Sequence, residues 1–326
     1  MQSTAIRVLS PQVVVVVTYC SDVHLEYQKN SKIPKHLVPT PVMLDANQKN
    51  ILILAGDIGH VTRVSYIIYL KQCRLVYDHV LVVSGNHEYW AQAKHGGRDK
   101  RISMETIDEK LRLVCEEADC IFLQKRAIKI EGYWFLGCTM WTDVPENLQT
   151  HVSAMMNDYQ RIFYTDPKIK GLKKITSEHI DSIHQDHKHW LATKLNWIDN
   201  LGNKEKAIVV THHLPSTRIL NSRAFPMSEE YVKYAYGSTH LMDELASRSR
   251  LDLVHAWICG HHHDHSHRSY LIPYSINNKE TTENTKEEVD AIETKGTLSV
   301  YLNCIGYPTQ STLSSNLRHS TSFIAL

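Results

Sequence analysis

Residues 13–24 read VVVVVTYCSDVH. The valines, together with Thr18 and Tyr19, form an apolar and largely β-branched run, which predicts a strand buried on both faces. Polar residues follow this run immediately, because Asp22 carries a carboxylate and His24 an imidazole. The stretch therefore predicts a buried strand that delivers two potential metal ligands to its carboxyl end.

The same pattern returns further along the chain. Short apolar runs end in Asp, Asn or His in ILILAGD at 51–57, VLVVSGNH at 80–87, IVVTHH at 208–213 and WICGHHH at 257–263. Open α/β sheets place their ligands beyond the carboxyl ends of the strands. We therefore expect one sheet edge to gather Asp22, His24, Asp57, Asn86, His87, His212, His261 and His263.

The segments between these runs predict an α/β fold. Val64–Tyr77 has apolar residues at helical spacing and predicts a β-α-β crossover. Helices are also predicted at 103–118 and 178–200, each with one apolar face. Further short strands are predicted at 121–123, 127–130 and 133–137, and a hairpin from Tyr270–Tyr274 and Leu298–Leu302.

The chain shows no internal repeat and no linker, so we expect one domain over residues 1–326. The segment 275–296 is rich in Asn, Lys, Glu and Thr, and it predicts a mobile insertion. The Ser- and Thr-rich tail at 309–322 is expected to be loose, with Phe323–Leu326 as a final edge strand.

Composition limits the partners and the location. The net charge is +1, from 36 basic and 35 acidic residues, which does not favour a nucleic-acid partner, although a local basic patch stays open. The 7 cysteines include no C-x-x-C pair and suggest a reducing compartment. No stretch reaches the ~18 apolar residues of a membrane span. We therefore expect a soluble, cytoplasmic protein without a membrane partner.

The residue types at the five strand ends predict a metal site. Mixed oxygen and nitrogen donors suit Mn, Fe or Zn better than Ca²⁺ or Mg²⁺, which prefer oxygen alone. Asp22, His24, Asp57, Asn86, His212, His261 and His263 are more donors than one tetrahedral zinc uses. Two divalent metal ions that share a carboxylate fit this number of donors.

The five junctions resemble the motifs of calcineurin-like metallophosphoesterases. They are Asp22-Val23-His24, Gly56-Asp57, Gly85-Asn86-His87-Glu88, Thr211-His212-His213 and Gly260-His261-His262-His263, in the family's order. The resemblance implies a four-layer α-β-β-α sandwich with a dinuclear metal centre at the C-terminal ends of the strands. It assigns Asp22, His24 and His263 to the first metal, Asn86, His212 and His261 to the second, and Asp57 to both.

The resemblance also implies an activity. The expected reaction is hydrolysis of a phosphomonoester or phosphodiester by attack of a metal-bridging hydroxide. His87 would act as general acid or transition-state stabiliser, with Asp57 and Asn86 as the other catalytic residues. Two divalent ions, two carboxylates and one hydroxide leave a formal charge of about +1, which suits a small phosphorylated substrate. Pyrophosphate-type and cyclic-nucleotide substrates stay open.

Two other functions are open at this stage. Some members of the family are protein-interaction scaffolds, and these typically lose metal ligands or the catalytic histidine, whereas every position is filled here. A nuclease would need a basic groove near the metals, which the near-neutral charge does not encourage.

Several histidines and one aspartate besides the proposed ligands are expected to have other roles. We expect His213 to orient a ligand or the substrate and His262 to point away from the metals. Asp264 is interpreted as a solvated turn residue, with the support of a ligand imidazole as the alternative. His184 and His187 are expected on a solvated or half-buried helix face, with a shared metal as the less favoured alternative.

Two segments could shape specificity. The basic segment Lys94–Arg101 predicts a flexible loop that reaches the leaving group or is simply a solvated surface loop. The stretch 141–159 contains Trp141-Thr142-Asp143 and Asn157-Asp158-Tyr159, and a subgroup of small metallophosphoesterases looks similar there, which implies a cover over the metal site. Ile305 stands where that subgroup has an arginine, so a phosphate contact from that position is not expected.

Overall fold

The computed structural model describes residues 13–28, 33–90, 92–95, 98–202, 205–220, 232–263, 268–277, 293–305 and 323–326. Their strands, in chain order, are β1 (Val15–Cys20), β2 (Lys49–Ala55), β3 (His79–Val83), β4 (Gln92–His95), β5 (Arg98–Arg101), β6 (Ile121–Phe122), β7 (Arg126–Ile130), β8 (Tyr133–Gly137), β9 (Phe163–Asp166), β10 (Gly171–Lys174), β11 (Lys206–Val210), β12 (Val254–Cys259), β13 (Arg268–Asn277), β14 (Glu293–Leu302) and β15 (Phe323–Ala325). The helices are α1 (Val64–Arg74), α2 (Met104–Glu117), α3 (Gln149–Met155), α4 (Asp158–Arg161), α5 (Ser177–Asp199) and α6 (Leu241–Arg248).

The first large sheet has the strand order β15-β1-β2-β3-β6. Its inner pairs are parallel, with Val17 opposite Ile51 and Leu52 opposite Val80. Only β15 runs antiparallel, beside β1, as the expected edge strand. The continuous apolar runs of the sequence are the central strands of this sheet, because each needs both of its faces covered.

The second large sheet has the order β13-β14-β12-β11-β8-β7. β8, β11, β12 and β14 are mutually parallel, while β7 and β13 are antiparallel edge strands. The parallel strands β1, β2, β3, β11 and β12 carry the predicted motifs at their carboxyl ends.

The two sheets pack face to face through their apolar residues. Val17 and Ile53 of the first sheet and Phe135 and Ile258 of the second belong to one buried core between the sheets. The outer face of the first sheet is covered by α1 and α2, and that of the second by α5 and α6. The layers are therefore helix, sheet, sheet and helix, and the predicted four-layer α/β sandwich is confirmed.

The predicted helices are present where local signals begin them. Ser103 accepts a hydrogen bond from the backbone N–H of Thr106 at the start of α2, and Thr176 accepts one from His179 at the start of α5. The crossover helix predicted over Val64–Tyr77 is α1.

Two segments differ from their predictions. The flexible loop expected at Lys94–Arg101 is wrong, because β4 and β5 pair as an antiparallel hairpin. The hairpin predicted near 270–302 is longer than expected, since β13 and β14 extend into both ends of the segment 275–296. Residues 278–292 and the tail 309–322 lie outside the described residues, and the single domain stays a prediction.

No helix within the described residues has a stretch that is both long and apolar enough to cross a membrane.

Candidate metal centre

The polar residues at the five strand ends meet at one edge where the two sheets face each other. Asp22, His24, Asp57, Asn86 and His87 follow strands of the first sheet. The remaining members, His212, His261 and His263, follow β11 and β12 of the second sheet. All of them are buried except His263, which is partly exposed. The structure therefore brings together every residue that the sequence predicted for the site.

Sharp turns after the strands aim these side chains inward. Asp22, His24, Asp57 and His261 have left-handed backbone conformations, with φ between 50° and 67°. L-residues rarely adopt this region, and such strain is concentrated at functional sites. The backbone N–H of His24 donates to the carbonyl of Asp57 at 3.0 Å, so the first two turns support each other.

Gly85 makes room for the shared carboxylate. A Cβ atom at this position would lie 2.1 Å from Oδ1 of Asp57, which is far inside contact distance. The third turn can therefore approach Asp57 only because position 85 lacks a side chain.

The first donor group consists of Asp22, His24, Asp57 and His263. Nε2 of His263 lies 3.1 Å from Oδ1 of Asp22 and 3.1 Å from Nε2 of His24. Oδ2 of Asp57 lies 4.0 Å from Nε2 of His24. These atoms surround one point at which a metal ion could be held.

The second donor group contains Asp57, His212 and His261. Nε2 of His212 lies 3.4 Å from Oδ1 of Asp57, 3.2 Å from Nδ1 of His261 and 3.1 Å from Oδ1 of Asn86. Asn86 thus completes this group with its amide oxygen. Asp57 belongs to both groups and presents a different oxygen to each.

Hydrogen bonds from His212 and Asn86 to residues outside the donor group determine which atoms of these two side chains face the metal position. Nδ1 of His212 donates to the carbonyl of Ala55 at 2.9 Å, so a neutral His212 has its lone pair on Nε2. The amide nitrogen of Asn86 donates to Asp158 at 2.9 Å, which leaves its oxygen inward. With His212 neutral, its Nε2 lone pair and the Asn86 oxygen lie 3.1 Å apart, and a cation, either a proton or a metal ion, would satisfy both. The second group therefore fits a metal ion.

Asp22 shows the same need for a cation in the first group. Its Oδ2 atom accepts hydrogen bonds from the hydroxyl of Ser21 and the backbone N–H of His261. Its Oδ1 atom is buried, and it faces Nε2 of His263 at 3.1 Å without a well-aligned hydrogen bond from the described residues. A buried carboxylate oxygen beside an imidazole nitrogen needs a positive charge between them, and a metal ion at this point would satisfy both.

The electrostatics of the site also favour cations. Burial alone would raise the pKa of Asp57, but the imidazoles of His212 and His87 hold it well below its usual range. Burial opposes protonation of His212, yet the Asp57 carboxylate raises its pKa to about 9. Burial and the neighbouring His212 lower the pKa of His261 to about 3. The carboxylates are thus ionised and hold positive charge between them.

His87 lies beside both donor groups. Its backbone N–H donates to Oδ1 of Asp57 at 2.8 Å, and its Nε2 atom lies 3.9 Å from Oδ2 of the same residue. Its Nδ1 atom donates to Glu26 at 2.9 Å, and its ring stacks on Trp90 at 3.6 Å between centroids. The imidazole is therefore fixed on two sides, with Nε2 on the side of Asp57.

Glu26 was not predicted from the sequence. Its Oε1 atom accepts a hydrogen bond from Nδ1 of His24 at 3.1 Å and another from Nδ1 of His87 at 2.9 Å. One carboxylate oxygen thus orients a metal-group histidine and the predicted catalytic histidine. Burial would raise the pKa of Glu26, but these two histidines lower it to about 2. A glutamate two residues after a ligand has no distinctive sequence signal.

Glu88 links the turn after β2 to the turn after β3 by hydrogen bonds. Its carboxylate accepts hydrogen bonds from the backbone N–H groups of Asp57, Ile58 and Gly85 at 2.7 to 2.9 Å. Burial, together with the charge of Asp57, raises the pKa of Glu88 to about 7. The role of Glu88 was not predicted from the sequence, although its position in the Gly85-Asn86-His87-Glu88 motif could have indicated it.

Asp158 supports Asn86 from the stretch 141–159. Its Oδ1 atom accepts from the amide of Asn86 at 2.9 Å and from the indole N–H of Trp90 at 2.7 Å. This part of the stretch therefore reaches the metal centre, as the subgroup resemblance implied.

The other histidines lie outside the two donor groups. Nδ1 of His213 donates to the carbonyl of Thr139 at 3.3 Å, and its ring packs 4.4 Å from that of His261. His262 is partly exposed, near Tyr236. Asp264 lies outside the described residues.

The solvated or half-buried helix face expected for His184 and His187 is wrong, because both side chains are buried. Nδ1 of His184 donates to the carbonyl of Met140, and Nδ1 of His187 accepts from the N–H of the same residue. They hold a turn in which Met140 and Trp141 have φ of 71° and 54°. These hydrogen bonds indicate a structural role for both histidines.

The comparison with protein families agrees with this geometry. A family model described as calcineurin-like phosphoesterase matches residues 15–265, which include all eight residues of the site. The chain belongs to the calcineurin-like phosphoesterase family. This phosphoesterase is therefore a metal-dependent hydrolase of phosphoric esters.

Two individual proteins are similar to this phosphoesterase. The uncharacterized protein L509 of Acanthamoeba polyphaga mimivirus is 29% identical over 250 residues, which is 69% of this chain and 84% of the viral protein. The crystal structure of Phosphopantetheinyl Hydrolase (PptH) from Mycobacterium tuberculosis superposes with a TM-score of 0.62 at 14% identity, over 97% of this chain and 96% of that one. At this identity, the second similarity is evidence of the fold alone.

Proposed function

We propose that the protein hydrolyses a small phosphate ester, either a monoester or a diester, at two divalent metal ions drawn from Mn, Fe and Zn. Asp22, His24, Asp57 and His263 would hold the first ion, and Asp57, Asn86, His212 and His261 would hold the second. When bound, such a metal pair neutralises charge on the phosphoryl oxygens and lowers the pKa of bound water.

The position of Asp57 is the observation that carries this proposal. Oδ2 of this residue faces the first donor group and Oδ1 faces the second, so one carboxylate can serve two ions. Asp22 and Asp57 are the only carboxylates of the described residues in the two groups, and they do not cancel the charge of two divalent ions. An anionic substrate fits the remaining positive charge.

His87 serves the leaving group in this proposal. Its ring is held by Glu26 and Trp90, and its Nε2 atom is the one directed toward the metal groups. From there, the imidazole can stabilise an equatorial phosphoryl oxygen or give a proton to the leaving oxygen. The backbone hydrogen bond from His87 to Asp57 keeps the imidazole next to the shared carboxylate.

The first test measures hydrolysis of p-nitrophenyl phosphate and of bis(p-nitrophenyl) phosphate after chelation and reloading with Mn²⁺, Fe²⁺ or Zn²⁺. We expect turnover of at least one ester, about two metal ions per chain, and loss of activity on chelation. A protein that binds two ions but turns over neither ester would contradict the proposal. The ratio of the two rates distinguishes monoester from diester preference.

Two variants separate binding from chemistry. Asp57→Asn should lose metal and activity together, because the shared carboxylate is removed from both groups. His87→Gln should keep the metal content and lower kcat, more for alkyl phosphates than for p-nitrophenyl phosphate, since a poor leaving group depends more on a proton donor. Release of metal by His87→Gln would refute the division of roles.

The proposed location is the cytoplasm. All seven cysteines are free and buried, as expected for a protein that folds in a reducing compartment. Fractionation of the source cells, with detection of the native protein, tests this location, and recovery from an extracellular fraction would contradict it.

A further inference from the structure

A stack of three side chains leads from the metal centre to the surface. The ring of His87 lies 3.6 Å from that of Trp90, with an angle of 29° between them. The guanidinium carbon of Arg161 lies 4.7 Å from the centre of the Trp90 ring. His87 and Trp90 are buried, whereas Arg161 is exposed. The Arg161 guanidinium thus stacks on the same Trp90 ring as the proposed proton donor, His87.

Arg161 lies on a helical turn that is hydrogen-bonded to residues of the metal centre. It ends α4, and Asp158 begins the same turn. The carboxylate of Asp158 accepts hydrogen bonds from Asn86 and Trp90, so α4 is joined to the third motif by two bonds. The helical turn that carries Arg161 is therefore fixed beside the Asn86-His87 segment by buried hydrogen bonds, although Arg161 itself is exposed.

Arg161 has no carboxylate partner among the described residues. Other exposed arginines of the chain do, since Arg112 pairs with Glu109 and Glu116, and Arg250 pairs with Asp199 and Asp252. Asp158, on the same turn as Arg161, is occupied by Asn86 and Trp90. A guanidinium stacked on a ring keeps its N–H edge available, and this edge matches the oxygens of a phosphate.

Arg101 repeats this arrangement beside Arg161. Its guanidinium carbon lies 4.7 Å from the centre of the Phe163 ring, and Phe163 follows Arg161 by two residues. A β-bridge between Ser103 and Phe163 places the two segments side by side. Arg101 is exposed. Arg101 and Arg161 thus lie on neighbouring segments, and Arg161 stacks on the Trp90 ring that also contacts His87.

We propose that the substrate is a phosphate ester whose leaving group carries a second phosphate, and that Arg161, assisted by Arg101, binds this second phosphate. This inference rests on the proposed function. Hydrolysis breaks the bond between phosphorus and the leaving oxygen, water supplies the new oxygen on phosphorus, and a proton goes to the leaving oxygen. The second phosphate is unchanged and leaves with the alcohol.

The test compares two alkyl substrates with similar leaving-group chemistry, hexyl phosphate and hexane-1,6-diol bisphosphate, with the propane-1,3-diol bisphosphate as a shorter form. We expect the wild type to prefer a bisphosphate in kcat/KM. Arg161→Gln should reduce that preference by about tenfold or more, because one charge-assisted contact is lost, while hexyl phosphate is hydrolysed as before. Arg161→Lys should retain part of the preference, and Arg101→Gln should reduce it less.

Arg112→Gln is the matched control, since it removes an exposed arginine from α2 and should leave the preference unchanged. The inference is overturned if the wild type does not prefer either bisphosphate, or if Arg161→Gln slows both substrate types equally. It is also overturned if Arg161→Gln affects only the hydrolysis of a single-stranded oligonucleotide. Failure of the proposed function is distinguishable, because the metal-loaded protein would then hydrolyse no p-nitrophenyl ester at all.

Discussion

The side-chain amide of Asn86 donates a hydrogen bond to Oδ1 of Asp158 at 2.9 Å. An amide can present either its oxygen or its nitrogen to a metal, and only the oxygen is a ligand. Asp158 determines this choice from a different part of the chain. The orientation of one proposed ligand therefore depends on a residue that does not belong to either donor group.

Asp158→Ala should weaken metal binding at the second donor group. Without the carboxylate, the amide of Asn86 is free to turn, and loss of such supporting contacts typically costs about 10- to 100-fold in metal affinity. Titration of the metal-free protein with Mn²⁺, followed by the bound stoichiometry, measures the effect. Asp158→Asn keeps an acceptor oxygen and should lose less. Equal affinities in all three proteins would show that Asp158 does not orient Asn86.

Glu26→Ala should affect the first donor group and His87 together. Oε1 of Glu26 fixes Nδ1 of both His24 and His87, so its removal releases two imidazoles at once. We expect about tenfold or more weaker metal binding together with a lower kcat. Glu26→Gln retains an acceptor oxygen, and its metal content should stay close to that of the wild type. If Glu26→Gln loses as much metal as Glu26→Ala, the charge matters rather than the orientation.

Metal affinity should rise with pH across the neutral range. Asp57 raises the pKa of His212 to about 9 although burial opposes this, so below that pH the metal-free protein holds a proton that the metal must displace. The apparent affinity of the second group should increase up to about tenfold per pH unit below this value. Titration calorimetry in buffers of different ionisation enthalpy should show release of about one proton at neutral pH when the second group binds its ion. Affinity that does not change between about pH 6.5 and 8.5 would be inconsistent with this linkage.

His184→Ala and His187→Ala should each destabilise the fold without removing a ligand. Both side chains hydrogen-bond to the backbone of Met140, where the chain has a left-handed conformation. Loss of each bond from a buried site should cost about 1–3 kcal/mol in the free energy of unfolding. Urea unfolding measures this cost, and His189→Ala, at an exposed position of the same helix, is the control. Metal loss before unfolding would contradict the structural role.

The central strands and the ligands could be predicted from the sequence because both signals are local. A parallel strand covered on both faces needs a continuous apolar run, and its carboxyl end is marked by the residues that follow. Asp22 and Asp57 were found in this way. The pattern of an apolar strand followed by polar residues predicts the ligands even when the order of strands is unknown, because the carboxyl ends of parallel strands lie at the same edge of the sheet.

The supporting residues could not be found in the same way, because their roles depend on contacts between distant parts of the chain. Asp158 supports Asn86 across 72 positions, and Glu26 reaches His87 across 61. His184 and His187 followed a polar helical pattern that gave no indication of burial. The basic segment at Lys94–Arg101 was interpreted as a loop because its composition is polar, whereas the pairing of β4 with β5 involves the backbone.

The proposed ligands come from both sheets, which otherwise meet through apolar side chains. Asp22, His24, Asp57 and Asn86 precede residue 90, and His212, His261 and His263 follow residue 210. A metal ion bound to both sets would therefore act as a cross-link that closes the intervening chain into a long loop. Cross-links that close long loops reduce the conformational entropy of the unfolded chain. The same ions that serve hydrolysis would then also decide how firmly the two sheets remain together when the protein is heated.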